Sequence, residues 1–451
     1  MTIHRLFSAS IFSDRRLLIS SAIVAAGFFS SKVFGLVREI LIARAYGTSG
    51  DLDAFFAATS FSDLLFSVIA GGALASIFIP IFSGYLVRGE AERRAAWEFA
   101  SAVVNDIFLG VAILSVLGMI FASPVVEHVL APGFAPEHRA LTANLLRLVL
   151  ISTIIFGVSG TLTGILHAHN HFILPALAPS LYNLGIISGA LLLAPRFGIL
   201  GLAYGVVAGS AMHLLIQLPG LIVHGARYFA TLGLRQTGMH HLLGLAGPRL
   251  VTMLVVRVTS IVMTNLASRA GEGSVSALSF AYSLWQFPEA LIGTAIALAV
   301  FPRLAAHASQ GKKGELRAMY RVALFSILGL AIPAAFVAIL FARPIVSLLF
   351  ERGAFTGAST ELVATVLQFY ALAIVGESLL ELTARVFYAQ RDARTPMLVA
   401  IAAMLLRALL MLWWSTPGGA PGLALAYAVG AMIEGSALWW LARLRDKVSC
   451  D

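Results

Sequence analysis

Four ionisable residues interrupt the first long apolar stretch of the chain: Lys32, Arg38, Glu39 and Arg44. A charged side chain within a membrane-spanning helix is energetically costly, so such residues usually face a cavity, a substrate path or an opposite charge. Three of the four are cations, which are suited to attract an anionic group. Lys32, Arg38 and Arg44 are therefore candidate substrate-binding residues.

The spacing of these cations leaves alternatives open. Successive cations are six residues apart, and six residues turn an ideal helix by about 240°. The three therefore cannot share one narrow stripe unless the helix bends, for example at Gly35. Arg38 could instead pair with Glu39, and the Arg44 side chain could extend to the outer headgroups.

A second set of charges lies in the last third of the chain. Glu377, Glu381 and Arg385 are spaced by four, so they share one face of a helix, and Glu434 follows in a later apolar stretch. That face must point toward protein or water. We expect either an internal ion-pair ladder or a site for a coupling cation or proton, with Glu377, Glu381, Arg385 and Glu434 as the candidate ion-coupling residues.

The turn after the first apolar stretch, residues 47–53, reads GTSGDLD. Glycine and serine favour a turn there, and Asp51 is in position to cap the following helix. Asp53 either pairs with an arginine of the first helix or has no special partner.

No set of residues in the sequence predicts catalysis. The nucleophile-elbow, nucleotide-binding and zinc patterns are missing, so we expect neither enzymatic activity nor a cofactor. His167, His169 and His171 have no neighbouring carboxylate or cysteine, and they predict interfacial histidines rather than a metal site. The one cysteine, Cys450, rules out a disulfide framework.

The composition identifies the elements that must position these residues. Of the 451 residues, 59% are hydrophobic and 12% are charged, whereas soluble domains have about 25% charged residues. Long apolar runs, rather than short alternating ones, indicate spanning helices. We interpret the net charge of +9 as loop lysines and arginines that set topology, not as a nucleic-acid surface.

The apolar runs predict an all-α, polytopic membrane protein with about twelve transmembrane helices. The predicted spans are residues 17–45, 52–86, 97–122, 140–168, 172–194, 198–223, 242–268, 275–302, 319–341, 358–389, 396–415 and 421–443. The first lacks a small-residue cleavage site, so we interpret it as a retained helix rather than a signal peptide.

The basic residues predict the orientation. With a cytoplasmic N-terminus, the inside segments and their edges hold eighteen lysines and arginines, and the outside loops hold five. This bias places both termini in the cytoplasm of a multi-pass protein.

The two halves of the sequence repeat at an offset near 220. Residues 124–126 and 133–134 match 344–346 and 353–355, residues 168–175 match 389–396, and Gly71, Pro80 and Gly89 match Gly293, Pro302 and Gly314. Six spans per half predict two parallel repeats around a central cavity. The predicted domains are an N-terminal six-helix bundle, residues 1–230, and a C-terminal one, residues 231–451.

Several motifs resemble those of the MviN/MurJ lipid II flippases of the multidrug/oligosaccharidyl-lipid/polysaccharide exporter superfamily. They are residues 31–39 (SKVFGLVRE), 43–47 (ARAYG), 53–56 (DAFF), 131–134 (APGF), 175–179 (PALAP) and 388–396 (YAQRDARTP). Their order and spacing hold across nearly the whole chain. Arg38 and Asp53 align with a family arginine and aspartate, and Lys32 stands where many members have arginine.

The resemblance implies a bacterial inner-membrane flippase that moves lipid II for peptidoglycan synthesis, and hence for cell wall biogenesis and cell shape. In the family a cationic cavity accepts the pyrophosphate-linked headgroup while the polyprenyl tail stays in lipid, and membrane potential or an ion gradient supplies the energy. Alternating access would move the cargo. The partners would be lipid II, membrane lipid and a coupling cation, with Asp53 added to the substrate-binding set.

Two segments depart from the family pattern. Basic residues usual in the second helix are missing from 65–73 (LFSVIAGGA), and an arginine usual before a Phe-Pro pair is missing from 281–288 (AYSLWQFP). Fewer cations would then hold an anionic headgroup. The alternatives are a flippase for another polyprenyl-linked glycan, a cation-coupled exporter of small molecules, or a membrane scaffold without transport.

Overall fold

The computed structural model describes residues 15–69, 72–87, 90–233 and 253–445. Regular secondary structure in these ranges is helical throughout. In chain order the helices are α1 (Arg15–Tyr46), α2 (Gly50–Ile69), α3 (Gly72–Val87), α4 (Glu90–Ile120), α5 (Ala122–Val125), α6 (Pro136–Ala168), α7 (Ile173–Ser188), α8 (Ala194–Phe197), α9 (Leu200–Leu215), α10 (Leu218–Val223), α11 (Met253–Ala267), α12 (Ser274–Glu289), α13 (Ala295–Ser309), α14 (Lys313–Leu340), α15 (Ala342–Phe350), α16 (Gly357–Ala371), α17 (Ala373–Ala389) and α18 (Arg394–Leu444).

Eight continuous helical segments in these ranges are long and apolar enough to cross a membrane. They are Glu92–Ile120, Pro136–Ala168, Ile173–Phe197, Leu200–Val223, Ser274–Ser309, Lys313–Leu340, Gly357–Ala389 and Arg394–Leu444. The prediction of an all-α, polytopic membrane protein is thereby confirmed.

Three predicted spans correspond to the helices as follows. Residues 52–69 and 72–86 of the span 52–86 are helical, as α2 and α3, and residues 70 and 71 between them lie outside the described ranges. The spans 396–415 and 421–443 correspond to the two parts of α18, which turns sharply at Gly419. Residues 242–252 of a further span lie outside the described ranges, as do Gly71, Gly89, Cys450 and both ends of the chain.

The backbone repeats at the offset found in the sequence. Asn170 and Arg391, 221 positions apart, have φ angles of 58° and 60°, a left-handed conformation that other non-glycine residues of the described ranges do not adopt. Each follows a long helix, α6 or α17. The same hydrogen bond closes both turns, from His171 N to Leu166 O and from Asp392 N to Phe387 O, each 2.9 Å long.

A second pair of turns shows the same offset. Gly198 has φ 58° and ψ −142°, and Gly419 has φ 56° and ψ −142°. Only glycine adopts this region without strain. The two halves of the chain therefore turn in the same way between their last two spans.

The described helices form two compact units. The first comprises Met1–Leu41, Ile69–Leu117 and Leu148–Ala246, and the second comprises Ile42–Val68, Gly118–Arg147 and Gly247–Asp451, with the undescribed residues aside. The second unit thus contains two segments of the first sequence half. The predicted division into bundles at residue 230 stays a prediction.

Aromatic side chains fill the core of the first unit. Phe78 and Phe82 of α3 stack with their ring centroids 5.3 Å apart, and Phe99 of α4 stacks on Phe78 at 5.8 Å. Leu162 and Leu166 of α6 complete this cluster. The core of the second unit is built around Tyr320 of α14, Leu382 and Phe387 of α17, and Leu438 of α18.

Glycines bring α7 and α9 into backbone contact in the first unit. A Cβ atom at Gly185 would lie 2.2 Å from the Cα of Gly209, and one at Gly189 would lie 2.7 Å from the Cα of Gly205. Lipid provides no hydrophobic force between helices, so close packing by small residues supplies the attraction. This contact fixes the position of α7, which carries part of the candidate site.

Replacing either turn glycine should destabilise the protein. We expect Gly198→Ala and Gly419→Ala each to cost about 1–3 kcal/mol, because alanine is strained at these backbone angles. Neither new Cβ would meet another atom within 4 Å, so the effect would be conformational. Melting temperature in detergent measures it.

The control is Gly329→Ala within α14, where a new Cβ also meets nothing within 4 Å. Alanine is favoured over glycine in a helix by about 0.5–1 kcal/mol, so this variant should melt no lower than the native protein. Equal melting temperatures for all three variants would contradict the claim that both turns require glycine.

Candidate functional site

Arg38 is held between an acid of its own helix and an amide of α7. Its Nη1 donates to Oδ1 of Asn183 at 3.0 Å, and its Nη2 donates to Oε1 of Glu39. Asn183 in turn donates from Nδ2 to the carbonyl oxygen of Ser31 at 3.2 Å. The Arg38–Glu39 pair that the sequence left open is therefore present, and 26% of the Arg38 side chain remains exposed.

Small residues allow α1 to lie close against α7. A Cβ at Gly27 would come within 2.5 Å of the Cβ of Ala176, and the hydroxyls of Ser30 and Ser180 are 3.0 Å apart. Asn183 is on the same side of α7, two turns beyond Ala176. The interface that packs the two helices therefore also orients the Arg38 guanidinium.

The other two cations of α1 have different surroundings. Lys32 is exposed, and Arg44 is exposed at the far end of the helix. Lys32 and Arg38 belong to the first unit, and Arg44 belongs to the second. α1 is continuous through all three positions, and Gly35 lies against Asn183, whose Nδ2 would be 3.9 Å from a Cβ added there.

The backbone of Arg44 is tied to the turn after α15. The amide of Ala354 donates to the Arg44 carbonyl oxygen at 2.9 Å. Gly353 has a φ of 63°, and a Cβ there would lie 2.5 Å from the same oxygen, so only glycine permits this approach. Arg44 thus anchors its helix end through the main chain and leaves its side chain exposed.

Asp53 caps a helix from the other half of the sequence. Its Oδ2 accepts from the amide of Gly273, and its Oδ1 accepts from the amide of Ser276, both at 2.7 Å. These are two of the unsatisfied donors at the start of α12, where the helix dipole also favours a negative charge. Asp53 is 1% exposed, so both oxygens are committed to this cap.

The exchange between α2 and α12 is reciprocal. Glu272, just before α12, accepts through Oε1 from the amide of Gly50 at the start of α2, at 2.7 Å. Beside it, the hydroxyls of Thr48 and Ser359 are 2.9 Å apart. Each helix therefore begins on a carboxylate supplied by the segment around the other.

Ser49, rather than the predicted Asp51, supplies the acceptor that caps α2. Ser49 Oγ accepts from the amide of Leu52 at 3.4 Å, whereas Asp51 is exposed and lies 3.6 Å from Nε2 of His138. Ser49 precedes the helix by one residue, which is the normal N-cap position.

A buried cluster in the second unit joins α17 to α18. Nη2 of Arg407 donates to Oε1 of Glu377 at 3.1 Å and to Oε2 of Glu434 at 2.7 Å. Tyr427 donates its hydroxyl to the same Glu377 oxygen at 3.0 Å, and its ring lies 4.7 Å from the guanidinium carbon. Two carboxylates thus share one guanidinium within the apolar part of the protein.

Glu381 and Arg385 form a separate pair. They are bonded to one another one turn along α17, and Arg385 also donates to the Glu381 carbonyl oxygen at 2.9 Å. The four candidate ion-coupling residues therefore divide into two groups. Glu377 and Glu434 meet at Arg407, and Glu381 and Arg385 satisfy each other.

The histidines at the end of α6 pack among aromatic rings. His169 lies 4.6 Å from the ring of His224, and His171 Nδ1 is 3.4 Å from His224 Nε2. Burial, followed by the charges of His169 and His171, lowers the pKa of His224. Within the described ranges, no group of three metal-ligating side chains is arranged to hold a metal ion.

Comparison with known proteins gives a family match along most of the chain. The family profile described as Lipid II flippase MurJ matches residues 42–449. A protein of Burkholderia cenocepacia named Lipid II flippase MurJ is 31% identical over 437 residues, covering 95% of this chain and 84% of that protein. The chain belongs to the MurJ family. The resemblance seen in the sequence motifs is thus confirmed.

Further comparisons agree with membership of the MurJ family. A probable lipid II flippase MurJ of Thermotoga maritima is 28% identical over 89% of this chain and 80% of that protein. A structure titled lipid II flippase MurJ, inward closed conformation, has a TM-score of 0.82 and 26% identity, covering 94% of this chain and 89% of that one. An inward-facing MATE transporter of the MOP superfamily shares the fold, with a TM-score of 0.77, 15% identity and coverage of 92% and 94%.

Sequence reasoning did not select three residues that the structure places at these sites. Asn183 is a polar residue within an apolar span, and that was the available signal. Arg407 is likewise a charge within a span, but its distance of 30 and 27 residues from Glu377 and Glu434 concealed the pairing. Glu272 gave no signal, because an acidic loop residue is ordinary.

In this MurJ family chain, removing the Asp53 carboxylate should loosen the start of α12. We expect Asp53→Ala to cost about 1–3 kcal/mol, because two buried amides lose their acceptor. Asp53→Asn should cost less, because its amide group keeps one acceptor oxygen. Melting temperature measures the loss in stability.

Thiol labelling measures the loosening itself. A cysteine placed at Ala277, which is 0% exposed, in a Cys450→Ser background should react faster with an impermeant reagent when Asp53 is alanine. Asp51→Asn is the matched control from the same turn and should change neither quantity. If Asp53→Ala changed neither the labelling rate nor the melting temperature, the cap would not stabilise the start of α12.

Proposed function

We propose that this protein moves lipid II across the bacterial inner membrane and so serves peptidoglycan synthesis. The observation that carries the proposal is the match along nearly the whole chain to proteins named lipid II flippase, in sequence and in fold. The proposed activity is translocation of a lipid-linked headgroup, with no covalent bond made or broken. Both termini would lie in the cytoplasm, as the distribution of basic loop residues favours.

Arg38 is the residue that we assign to the pyrophosphate of the cargo. Its guanidinium is oriented by Glu39 and Asn183 and still has an exposed part. The planar fork of an oriented guanidinium matches the bidentate geometry of phosphate oxygens. Lys32 and Arg44, both exposed, would add attraction along the path of the headgroup.

Asp53 would act on the state of the protein rather than on the cargo. Both Asp53 oxygens accept from amides at the start of α12, and the carboxylate is itself negative, so an anionic cargo would not bind there. The reciprocal caps of Asp53 and Glu272 join the first and second sequence halves at the end predicted to be outside. Alternating access would require these bonds to break when that end opens.

A coupling ion would act in the second unit. Of the candidate ion-coupling residues, Glu377 and Glu434 have the geometry for it, because their carboxylates converge on one guanidinium and only 16% and 8% of the two side chains is exposed. Glu381 and Arg385 would stabilise α17 beside them. Movement of α17 against α18 would alter this convergence and so link ion occupancy to the state of the protein.

A second candidate is a flippase for another polyprenyl-linked glycan. Segment 281–288, where the family resemblance leads one to expect an arginine, has Trp285 buried among aromatic rings, with Tyr370 at 6.1 Å and Tyr427 at 5.9 Å. Fewer cations then remain to hold the headgroup. A cation-coupled exporter of small molecules would instead depend on the acidic residues alone.

Complementation of a bacterium depleted of its own lipid II flippase tests the proposal. The native chain should restore growth and normal cell shape. Growth restored only in a strain that makes a different polyprenyl-linked glycan would favour the second candidate. Failure in both strains, with the protein present in the membrane, would contradict a flippase.

Arg38→Ala should abolish complementation, while Arg44→Lys should preserve it. Arg38→Ala also leaves the buried Glu39 carboxylate without its arginine partner, which should destabilise the protein. The double variant Arg38→Ala/Glu39→Gln removes that charge and should restore folding but not growth. Glu39→Gln alone keeps the cation and should grow.

Membrane levels of each variant, measured by immunoblot, separate folding from function. Growth supported by the folded double variant would show that the Arg38 cation is not needed for transport.

A further inference from the structure

The buried cluster at Arg407 is unbalanced in charge. Glu377 and Glu434 both bond to Nη2 of Arg407, so their nearest oxygens are separated by less than the two bond lengths of 3.1 and 2.7 Å combined. Arg407 and Glu434 are each only 7% exposed, so bulk water screens the cluster little. Two carboxylates and one guanidinium leave one negative charge without a counter-charge.

The charged groups on the neighbouring helices do not remove the imbalance. Glu289 of α12 and Arg257 of α11 lie in the electrostatic surroundings of Tyr282, together with Glu377 and Arg407. These two groups cancel each other, and the Glu381–Arg385 pair on α17 is neutral. Tyr282, Tyr370 and Tyr427 carry no charge as phenols. The described groups around the cluster therefore still total one excess negative charge.

We propose that Glu377 and Glu434 together bind one exchangeable proton, and that Arg407 occupies the place that a coupling metal cation would take. The proposal deepens the function proposed above, on which it rests for its role in transport, by naming the ion. The binding step is simple: a carboxylate oxygen takes a proton from water and later returns it to water, with no other bond made or broken.

Charge balance favours a proton as the missing partner. An uncompensated carboxylate in a low-dielectric interior is costly, and two carboxylates that close to one another do not both stay ionised without compensation. A proton neutralises the excess and needs no added volume. The proton then belongs to the pair rather than to one residue.

The protein backbone is shaped to admit Arg407 rather than a metal ion. A Cβ at Gly430 would lie 2.1 Å from Cγ of Arg407, so the arginine stem fills the space that a side chain would need. The guanidinium also faces the Tyr427 ring at 4.7 Å. A permanent cation thus sits between the two carboxylates that a metal ion would have to bridge.

The two carboxylates of the cluster differ in accessibility. The Glu377 side chain is 16% exposed and that of Glu434 is 8% exposed, so Glu377 is the more accessible of the two. The Nε of Arg407, a residue more than nine-tenths buried, has no hydrogen-bond acceptor among the described residues. This donor points to a position for an oxygen ligand such as a proton-carrying water.

Infrared difference spectra of the purified full-length protein, recorded between acidic and alkaline pH, test for the proton. The native protein should show a band of a buried protonated carboxylic acid that disappears on the alkaline side. Glu377→Gln and Glu434→Gln should each lose that band, because one remaining carboxylate balances Arg407. The double variant Glu381→Gln/Arg385→Gln, which removes the neighbouring ion pair on α17 as a whole and leaves the charge total unchanged, should keep it.

Melting temperature in sodium, potassium or choline chloride at equal ionic strength tests the metal. The native protein should melt at the same temperature in all three salts. Arg407→Ala should gain a saturable stabilisation by sodium, because it opens the space between the carboxylates. If that variant does not fold, the salt series on the native protein and the infrared bands still distinguish a proton site from a metal site.

The outcomes separate this proposal from the flippase proposal. A missing band, a band that survives both glutamine variants, or saturable sodium stabilisation of the native protein that is lost in Glu434→Gln would each overturn the proton site. None of these measurements involves lipid II. Failed complementation with an intact band would overturn the flippase proposal and leave the proton site standing.

Discussion

A charge within hydrocarbon must have a partner or reach water, and this requirement governs where the ionisable side chains of these helices lie. Arg38 has Glu39 and Asn183, Arg407 has two carboxylates, and Asp53 has two backbone amides. Lys32 and Arg44 instead remain exposed. Apart from Glu39, these partners come from other helices, so satisfying the charges also ties those helices together.

Asp53 shows how one such interaction joins segments that are distant in the sequence. A capping aspartate is ordinary when it belongs to the helix that it caps. Here it belongs to α2 and caps α12, while Glu272 near α12 returns the same contact to α2. Both bonds exist only while these two segments are in contact. The two caps therefore hold the first and second sequence halves together where α2 and α12 begin.

The two sequence halves keep the same backbone turns but carry different charged side chains. Asn170 and Arg391, and Gly198 and Gly419, keep matching backbone angles although the surrounding side chains differ. The first half places Arg38 against α7, and the second builds the Arg407 cluster between α17 and α18. Backbone turns are conserved between halves by glycine geometry and hydrogen bonding, whereas the charges are free to diverge.

The sequence by itself determined the all-α membrane class, most span positions and the repeat. Hydrophobic length and turn residues are local properties, and they need no knowledge of contacts. It also identified Arg38, Glu377 and Glu434 as unusual, because a charge in an apolar run is visible in one dimension, whereas Asp53 became a candidate only through the family resemblance.

Only the tertiary structure decided what each of these residues touches. Glu377 had a face in common with Glu381 and Arg385, yet it pairs with Arg407, 30 residues along the chain. Asp53 lies 220 residues from the amide of Gly273 that it caps. Pairing across such distances depends on which helices pack together, and small residues such as Gly185, Gly209 and Gly430 set that packing through atomic-scale fit.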